Sequence, residues 1–124
     1  MRNNSLQDKL WRWCNWYAYK YYQTGNLKKT LQFFEISLKI IRELNDLEAI
    51  AGMLGNFGNI YTKLGNFSKA INILQESIGI QKSIENFLGL ARSYNHLAEL
   101  YFKSGNLEHS LVLLYEVKNE YKYL

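Results

Sequence analysis

The stretch YTKLGNFSKA, residues 61–70, decides the fold because its frame returns at a fixed distance along the chain. The frame is present as YYQTGNLKKT at residues 21–30 and as YFKSGNLEHS at residues 101–110, so a tyrosine followed four residues later by Gly-Asn recurs every forty residues. Internal periods of about 20 to 50 residues are typical of proteins built from stacked repeats. The chain therefore divides into three units, which align on Gly25, Gly65 and Gly105.

Apolar residues flank each of these glycines at steps of three and four, the spacing of a helix with one buried face. On the first helix of each unit, the predicted buried positions are Leu10, Cys14, Tyr17 and Tyr21; Leu47, Ile50, Leu54, Phe57, Tyr61 and Leu64; and Phe87, Leu90, Tyr94, Leu97 and Tyr101. On the second helix they are Leu27, Leu31, Phe34, Leu38 and Ile41; Phe67, Ile71, Leu74 and Ile78; and Leu107, Leu111, Leu114 and Val117. The pattern predicts a single all-α domain, 1–124, in which three helix–turn–helix units (about 5–45, 46–85 and 86–124) stack and cover one another's apolar faces.

Each predicted turn has residues suited to ending one helix and starting the next. Glycine closes a helix in the left-handed conformation, and asparagine caps the first free N–H groups of the following helix. Between units, ELNDL (43–47) and SIENF (83–87) offer Asn-Asp and Glu-Asn in place of Gly-Asn. Ser5, with Asp8 three residues later, predicts the start of the first helix.

Length and composition exclude several protein classes. The 124 residues contain no proline, which favours long helices, and the net charge of +4 is spread along the chain, so a concentrated basic surface is not predicted. No apolar run is long enough for a membrane span, so no membrane association is expected. The single cysteine, Cys14, leaves no internal disulfide and favours a reducing, cytoplasmic location.

The repeated residues resemble the tetratricopeptide repeat (TPR), which places large, small and tyrosine residues on its first helix, glycine in the turn, and small and aromatic residues on its second helix. The residues that carry the resemblance are Cys14, Tyr17, Ala18, Tyr21, Gly25, Thr30, Phe34 and Ser37; Leu54, Phe57, Gly58, Tyr61, Gly65, Ala70, Leu74 and Ser77; and Tyr94, Leu97, Ala98, Tyr101, Gly105, Ser110, Leu114 and Val117. The period and the stretch LGNFGNIY (54–61) are similar to the long-helix repeats of kinesin light chains and spindle-orientation adaptors. The resemblance implies a right-handed superhelical stack, an α-solenoid, that binds a protein or peptide in its concave groove in a scaffold or assembly role.

Twelve positions on the first helices lie outside the apolar series and, by the resemblance, line the groove. They are Arg12, Asn15, Trp16, Tyr19, Asn56, Asn59, Lys63, Arg92, Asn95, His96, Glu99 and Lys103. Amides can pair with the backbone N–H and C=O groups of a peptide, and the resemblance implies this role for Asn56 and Asn95. The basic members favour an acidic ligand or a terminal carboxylate, and Trp16 with Tyr19 offers a pocket for an anchor residue.

Three alternatives stay open at this point. The same positions could be ordinary solvated helix surface, and the chain could be a structural or oligomerisation module. A helical repeat could also bind single-stranded RNA by stacking on aromatic side chains, although Glu99 in the same groove and the small basic excess disfavour nucleic acid. The carboxylate clamp of chaperone-binding TPRs (Lys/Asn/Asn/Lys/Arg) is not predicted, because its positions here hold Asn15, Tyr19, Asn56, Arg92 and His96.

The segment WRWCNWYAYKYY (11–22) is aromatic on most sides of its predicted helix. Trp11, Trp13, Trp16, Tyr19 and Tyr22 are left over once the apolar series is assigned. Large exposed apolar surface usually marks an interface. We therefore predict that this helix packs on another chain, a second copy included, through Trp11, Trp13 and Trp16. At the other end of the stack, we expect Leu111, Leu114 and Tyr121 to be partly uncovered.

No residue pattern predicts catalysis. His96 and Glu99 share a helix face, but a metal site needs three or four convergent ligands and Cys14 is two repeats away. The sequence has neither a nucleophile with its base and orienting acid nor a phosphate-binding glycine loop. It therefore predicts a non-enzymatic domain without cofactor or metal, in which Cys14 is a packing residue.

Overall fold

The computed structural model describes the backbone of residues 5–121 and the side chains of residues 6–119. This part of the chain forms six helices: α1 Ser5–Gln23, α2 Leu27–Leu44, α3 Leu47–Lys63, α4 Phe67–Ser83, α5 Phe87–Lys103 and α6 Leu107–Tyr121. The pairs α1–α2, α3–α4 and α5–α6 pack as units, and α2–α3 and α4–α5 join neighbouring units. The predicted all-α stack of three helix–turn–helix units is confirmed.

The turns follow one rule along the whole stack. Gly25, Gly65 and Gly105 have φ values of 80°, 78° and 85°, and the asparagine after each caps the next helix through its side-chain oxygen. Between units, Asn45 and Glu85 take the left-handed conformation at φ 56° and 55°, and Asp46 and Asn86 are the caps. The predicted turn chemistry is therefore confirmed at all five turns.

The predicted cap of α1 by Ser5 stays a prediction, because the side chain of Ser5 lies outside the described residues. Asp8, the other half of that pattern, accepts hydrogen bonds of 3.0 Å from Trp11 Nε1 and from Arg12 Nε. Neither of these bonds reaches the first free N–H groups of the helix.

Small residues allow the two helices of a unit to approach closely. Ala18, Gly58 and Ala98 are buried, and a Cβ at Gly58 would lie 3.2 Å from Leu74 Cγ. Buried serines hold the second helix to the first, because Ser37 Oγ donates to Trp11 O at 2.9 Å. The equivalent bond of the second unit runs from Ser77 Oγ to Ala51 O, and in the third unit Ser110 Oγ, at another position of α6, donates to Ala98 O.

Neighbouring units bury each other's apolar faces. The rings of Phe34 on α2 and Phe57 on α3 lie 5.8 Å apart within one buried cluster. Leu74 on α4 and Leu97 on α5 belong to the second cluster. On the surface, Arg42 Nη2 donates to both carboxylate oxygens of Glu76, at 2.9 and 3.0 Å, and so links α2 to α4.

The predicted buried face of α1 is wrong in part. Leu10 and Tyr17 are exposed, whereas Ala18 is fully buried and Trp11 and Tyr22 pack against the first buried cluster. Trp11 and Tyr22 therefore do not belong to the leftover aromatic set. The reason is that, in the described part of the chain, α1 packs mainly on α2, so its buried face turns toward that helix.

Other errors occur at helix ends and in the width of the buried face. Leu47, Phe87 and Leu107 are the first residues of their helices, Leu64 follows the end of α3, and all four are exposed. The apolar series omitted Met53, Ile60 and Leu100, which are buried because an inner helix has neighbours on two sides. Leu111 and Leu114 on α6 are exposed, as expected for the end of the stack, while the side chain of Tyr121 lies outside the described residues.

No helix among residues 5–121 combines the length and the apolar character that crossing a membrane requires.

Candidate functional site

Asn56 and Asn59 form a ridge of exposed amides on α3, which we call the amide ridge. A pocket lies on each side of it, and both side chains line both pockets. The two residues are three apart and therefore project from the same side of the helix. The ridge is the centre of the surface that the first helices α1, α3 and α5 share.

The pocket between α1 and α3, here the aromatic pocket, has a volume of 260 Å³. It is lined by Asn15, Tyr19, Tyr22, Phe34, Asn56, Asn59 and Ile60. The rings of Tyr19 and Tyr22 stack with centroids 6.5 Å apart, and the ammonium group of Lys63 lies 4.7 Å from the Tyr22 ring. A long apolar or aromatic side chain fits these walls.

One wall of the aromatic pocket holds an unsatisfied acceptor. Asn15 Oδ1 is buried and has no hydrogen-bond partner among the described residues. A buried acceptor left without a donor costs about 1–3 kcal/mol. A ligand that supplies an N–H or O–H group beside Asn15 would recover part of this free energy.

The pocket between α3 and α5, here the glycine pocket, has a volume of 420 Å³. Gly52 and Gly55 of α3 line it, and a Cβ at either position would meet nothing within 4 Å. A glycine inside a helix costs about 1 kcal/mol relative to alanine. Packing within the chain explains Gly58, whose added Cβ would press on Leu74, but it does not explain Gly52 and Gly55. Their effect is to leave the pocket open.

Charged and polar side chains surround the glycine pocket. Glu48, Arg92 and His96 line it, and Gln81 and Ser93 contribute a buried hydrogen-bonded wall. Ser93 Oγ donates to Gln81 Oε1 at 2.9 Å, and Gln81 Nε2 donates to Ser77 Oγ at 3.3 Å. The wall is rigid because both ends of the Gln81 amide are bonded.

His96 is half-buried in this pocket, close to the backbone of Gly58. Burial lowers the pKa of the imidazole below its ordinary value of 6.5; the carboxylate of Glu99 opposes this change and the ammonium of Lys103 adds to it. His96 is therefore neutral at pH 7 and offers a ligand one donor and one acceptor.

The structure brings six of the predicted site residues together along one surface: Asn15, Tyr19, Asn56, Asn59, Arg92 and His96. Lys63 adjoins them through its contact with the Tyr22 ring. Five residues that line these two pockets were not predicted from the sequence as site residues: Tyr22, Glu48, Gly52, Gly55 and Gln81. Glycines at helix positions away from the turns were the signal that could have shown the larger pocket.

The other predicted residues lie at the two ends of the stack. Asn95, Glu99 and Lys103 line a 300 Å³ pocket that α5 forms with α6. Arg12 and Trp16 line a 440 Å³ depression on α1. The guanidinium of Arg12 bonds to Asp8 at 3.0 Å and lies 5.3 Å from the Trp11 ring.

Reactive groups are sparse on this surface. Among residues 5–121, no three His, Cys, Asp or Glu side chains stand close enough to hold a metal ion. Cys14 is half-buried, and this burial raises the pKa of its thiol, so the thiol is protonated at neutral pH. The arrangement suits binding by hydrogen bonds and apolar contact.

Comparison with known proteins agrees with this architecture. The family model described as tetratricopeptide repeat matches residues 13–83 and 50–119. The chain is similar to the TPR domain of Arabidopsis FLU, with a TM-score of 0.81 and 16% identity over 94% of this chain and 98% of that one. It is also similar to kinesin-light-chain-like BtubC (BKLC) from P. vanneervenii, with a TM-score of 0.78 and 24% identity over 91% of this chain and 46% of that one. The chain thus spans less than half of BtubC, and both likenesses concern the fold alone. No curated protein matches the sequence at a significant level.

Proposed function

Because the chain belongs to the tetratricopeptide repeat family, whose domains generally mediate protein–protein interaction, we propose that it binds an extended peptide segment of a partner protein across α1, α3 and α5. The observation that carries the proposal is the amide ridge with a pocket on either side. Asn56 and Asn59 each present a donor and an acceptor to a peptide backbone, whatever the side chains of that peptide are.

The spacing of the two pockets fits an extended chain. They lie on opposite sides of one helix, and neighbouring helices in packed proteins are about 8–10 Å apart. An extended peptide advances about 3.3 Å per residue, so about three residues separate a side chain in the aromatic pocket from one in the glycine pocket. The backbone between these two side chains crosses the amide ridge.

The walls indicate which side chains the peptide carries. The aromatic pocket takes an apolar or aromatic anchor with a donor near Asn15 Oδ1. The glycine pocket takes a longer polar side chain, and a carboxylate next to Arg92 would form a charge-assisted hydrogen bond. Glu48 in the same pocket disfavours a second negative charge there. We place this module in a scaffold or assembly complex of the cytoplasm.

The proposal is tested by co-purification from cells with mass spectrometry. The bait is the wild-type chain, the double variant Asn56→Ala/Asn59→Ala, or the control Asn72→Ala, which removes an exposed amide of α4 outside both pockets. We expect a partner that the wild type and the control retain and that the double variant loses.

Peptides tiled over that partner then identify the bound segment by fluorescence anisotropy. Each lost hydrogen bond is worth about 0.5–1.5 kcal/mol, so the double variant should bind the segment about ten- to a hundredfold more weakly. Equal affinity of wild type and double variant for every captured partner would refute the proposal.

A second function, self-association through α1, is favoured by one observation. Trp13 and Trp16 are more than half exposed on the same helix, although large apolar surface is normally covered. Trp11, which we predicted in the same contact, packs inward and is not available.

Single-stranded RNA remains the weaker alternative, because Glu48 and Glu99 accompany Arg92 and Lys103 on this surface. Binding to single-stranded RNA that weakens steeply with added salt would favour it, whereas peptide capture that tolerates salt would not.

A further inference from the structure

The exposed apolar face of α1 corresponds to a face that is buried in the other two units. Leu10, Trp13 and Tyr17 are 40%, 67% and 45% exposed. The residues forty and eighty positions further along are Ile50, Met53 and Phe57, and Leu90, Ser93 and Leu97, and all six are buried. The same positions of the repeat are therefore covered twice within the chain and uncovered once.

The second helix of the preceding unit covers these positions. Phe34 on α2 contacts Phe57 on α3, Leu74 on α4 shares a buried cluster with Leu97 on α5, and Gln81 on α4 accepts a hydrogen bond from Ser93. The chain thus forms the same helix-on-helix contact twice, in one register.

At the opposite end, α6 presents the covering surface, and none of the helices among residues 5–121 packs on it. Leu114 is the counterpart of Phe34 and Leu74, which are buried, yet Leu114 is 43% exposed. Leu111 is the counterpart of the half-buried Leu31 and Ile71 and is 58% exposed. The two ends of the stack therefore expose the two kinds of surface that meet between units inside the chain.

We infer that these ends join, so that α6 of one copy packs on α1 of the next copy, head to tail, in the register that the chain already uses between its own units. Leu114 of one copy then meets Tyr17 of the next, as Phe34 meets Phe57. The contact is heterologous, since different surfaces of the two copies meet, and its repetition gives open helical chains of copies.

The pocket at the α5–α6 end supports this register. Asn15, Tyr19, Tyr22 and Phe34 line the aromatic pocket, and their counterparts eighty residues on are Asn95, Glu99, Phe102 and Leu114. All four counterparts line the 300 Å³ pocket of the third unit. This pocket is thus an aromatic pocket that lacks the far wall a next unit supplies.

One pair of opposite charges at the two ends fits the same register. Ile60 completes the aromatic pocket beside Tyr19, and its counterpart on α1 is Lys20, while the counterpart of Tyr19 is Glu99. Head-to-tail packing therefore brings the ammonium of Lys20 in one copy close to the carboxylate of Glu99 in the other. A symmetric contact between two α1 helices would instead bring Lys9 and Lys20 of both copies together.

Association of the 124-residue chain is measured by sedimentation velocity over about a hundredfold range of concentration, up to the high micromolar range of weak interfaces. We expect the average mass to rise from 14.6 kDa past twice that value without a plateau at the dimer. Trp13→Glu and Leu114→Glu each place a carboxylate in one half of the interface, and each should keep the chain monomeric. Leu64→Glu changes a leucine of the middle unit that is 50% exposed, comparable to Leu114, and should leave association unchanged.

Mixing the two monomeric variants separates this arrangement from a symmetric dimer. Trp13→Glu keeps the α6 half and Leu114→Glu keeps the α1 half, so an equimolar mixture should form a dimer that grows no further. A wild type that stays monomeric throughout, a Leu114→Glu variant that still dimerises, or a mixture that does not pair would each overturn the inference. Should circular dichroism show loss of helix in either variant, Leu10→Lys and Leu111→Lys test the same two halves.

Discussion

Replacing Glu85 by glycine tests the turn rule at the position where the sequence departs from it. Glu85 is exposed and has φ 55°, a conformation that costs a residue with a Cβ about 1–2 kcal/mol. Its backbone N–H donates to Lys82 O at 3.2 Å, and glycine keeps this bond. Glycine also gives the unfolded chain more freedom, which offsets about 0.4–1 kcal/mol of the gain. Glu85→Gly should therefore stabilise the chain by about 0.5–1 kcal/mol.

The assay is reversible unfolding by guanidinium chloride and by heat. A gain of this size raises the melting temperature of a domain this long by about 2–5 °C. The matched controls are Asn45→Gly, which should change little because asparagine tolerates the left-handed conformation, and Gly65→Glu, which should destabilise by about 1 kcal/mol. A Glu85→Gly variant that is no more stable than the wild type, with an unchanged denaturant slope, would contradict the strain assigned to this turn.

Three further predictions concern single side chains. Gly55→Ala and Gly79→Ala should each stabilise the chain by about 0.5–1 kcal/mol, because a Cβ added at either position meets no other atom. The two leucine variants should differ in peptide affinity: Gly55→Leu fills the glycine pocket and should abolish binding in anisotropy titrations, whereas Gly79→Leu on α4 should leave the affinity unchanged. Folding lowers the pKa of His96, so its contribution to stability is complete above pH 6.5 and is lost as the pH falls through the pKa of the folded state. His96→Gln should therefore reduce the drop in melting temperature between neutral and acidic pH. An unchanged drop would contradict this assignment. A double-mutant cycle on Arg42 and Glu76 should give a coupling of about 0.2–1 kcal/mol that weakens with added salt, because both side chains are nearly half exposed.

Features that depend on neighbours in sequence could be predicted. The left-handed glycines and their capping asparagines act within four residues, so the letters Gly-Asn are enough to locate the turns. The same holds for Ala18, Gly58 and Ala98, whose small size is needed at a contact within one unit. Repetition of these signals then gives the number of units.

Features that depend on which side of a helix has a neighbour could not be predicted. The spacing of Leu10 and Tyr17 suits a buried face as well as the spacing of their buried counterparts in the other two units does. Those counterparts are covered by a helix of the preceding unit. Trp11 was misplaced for the same reason, since its ring faces the first buried cluster.

The candidate site divides in the same way. The resemblance to the TPR was needed to predict that Asn56 and Asn59 line a groove, whereas the glycine pocket was not predicted. Gly52 and Gly55 matter only because Arg92 and His96, 37 to 44 residues away in sequence, line the same pocket.

Nuclear magnetic resonance can show directly whether the amide ridge is the surface that binds the peptide. A ¹⁵N-labelled chain is titrated with the segment identified from the captured partner, and the side-chain NH₂ signals of the asparagines are followed. We expect the signals of Asn15, Asn56 and Asn59 to shift until the site is saturated, while that of Asn72 on α4 does not shift. Shifts confined to α2, α4 and α6, with the three groove amides unchanged, would contradict it.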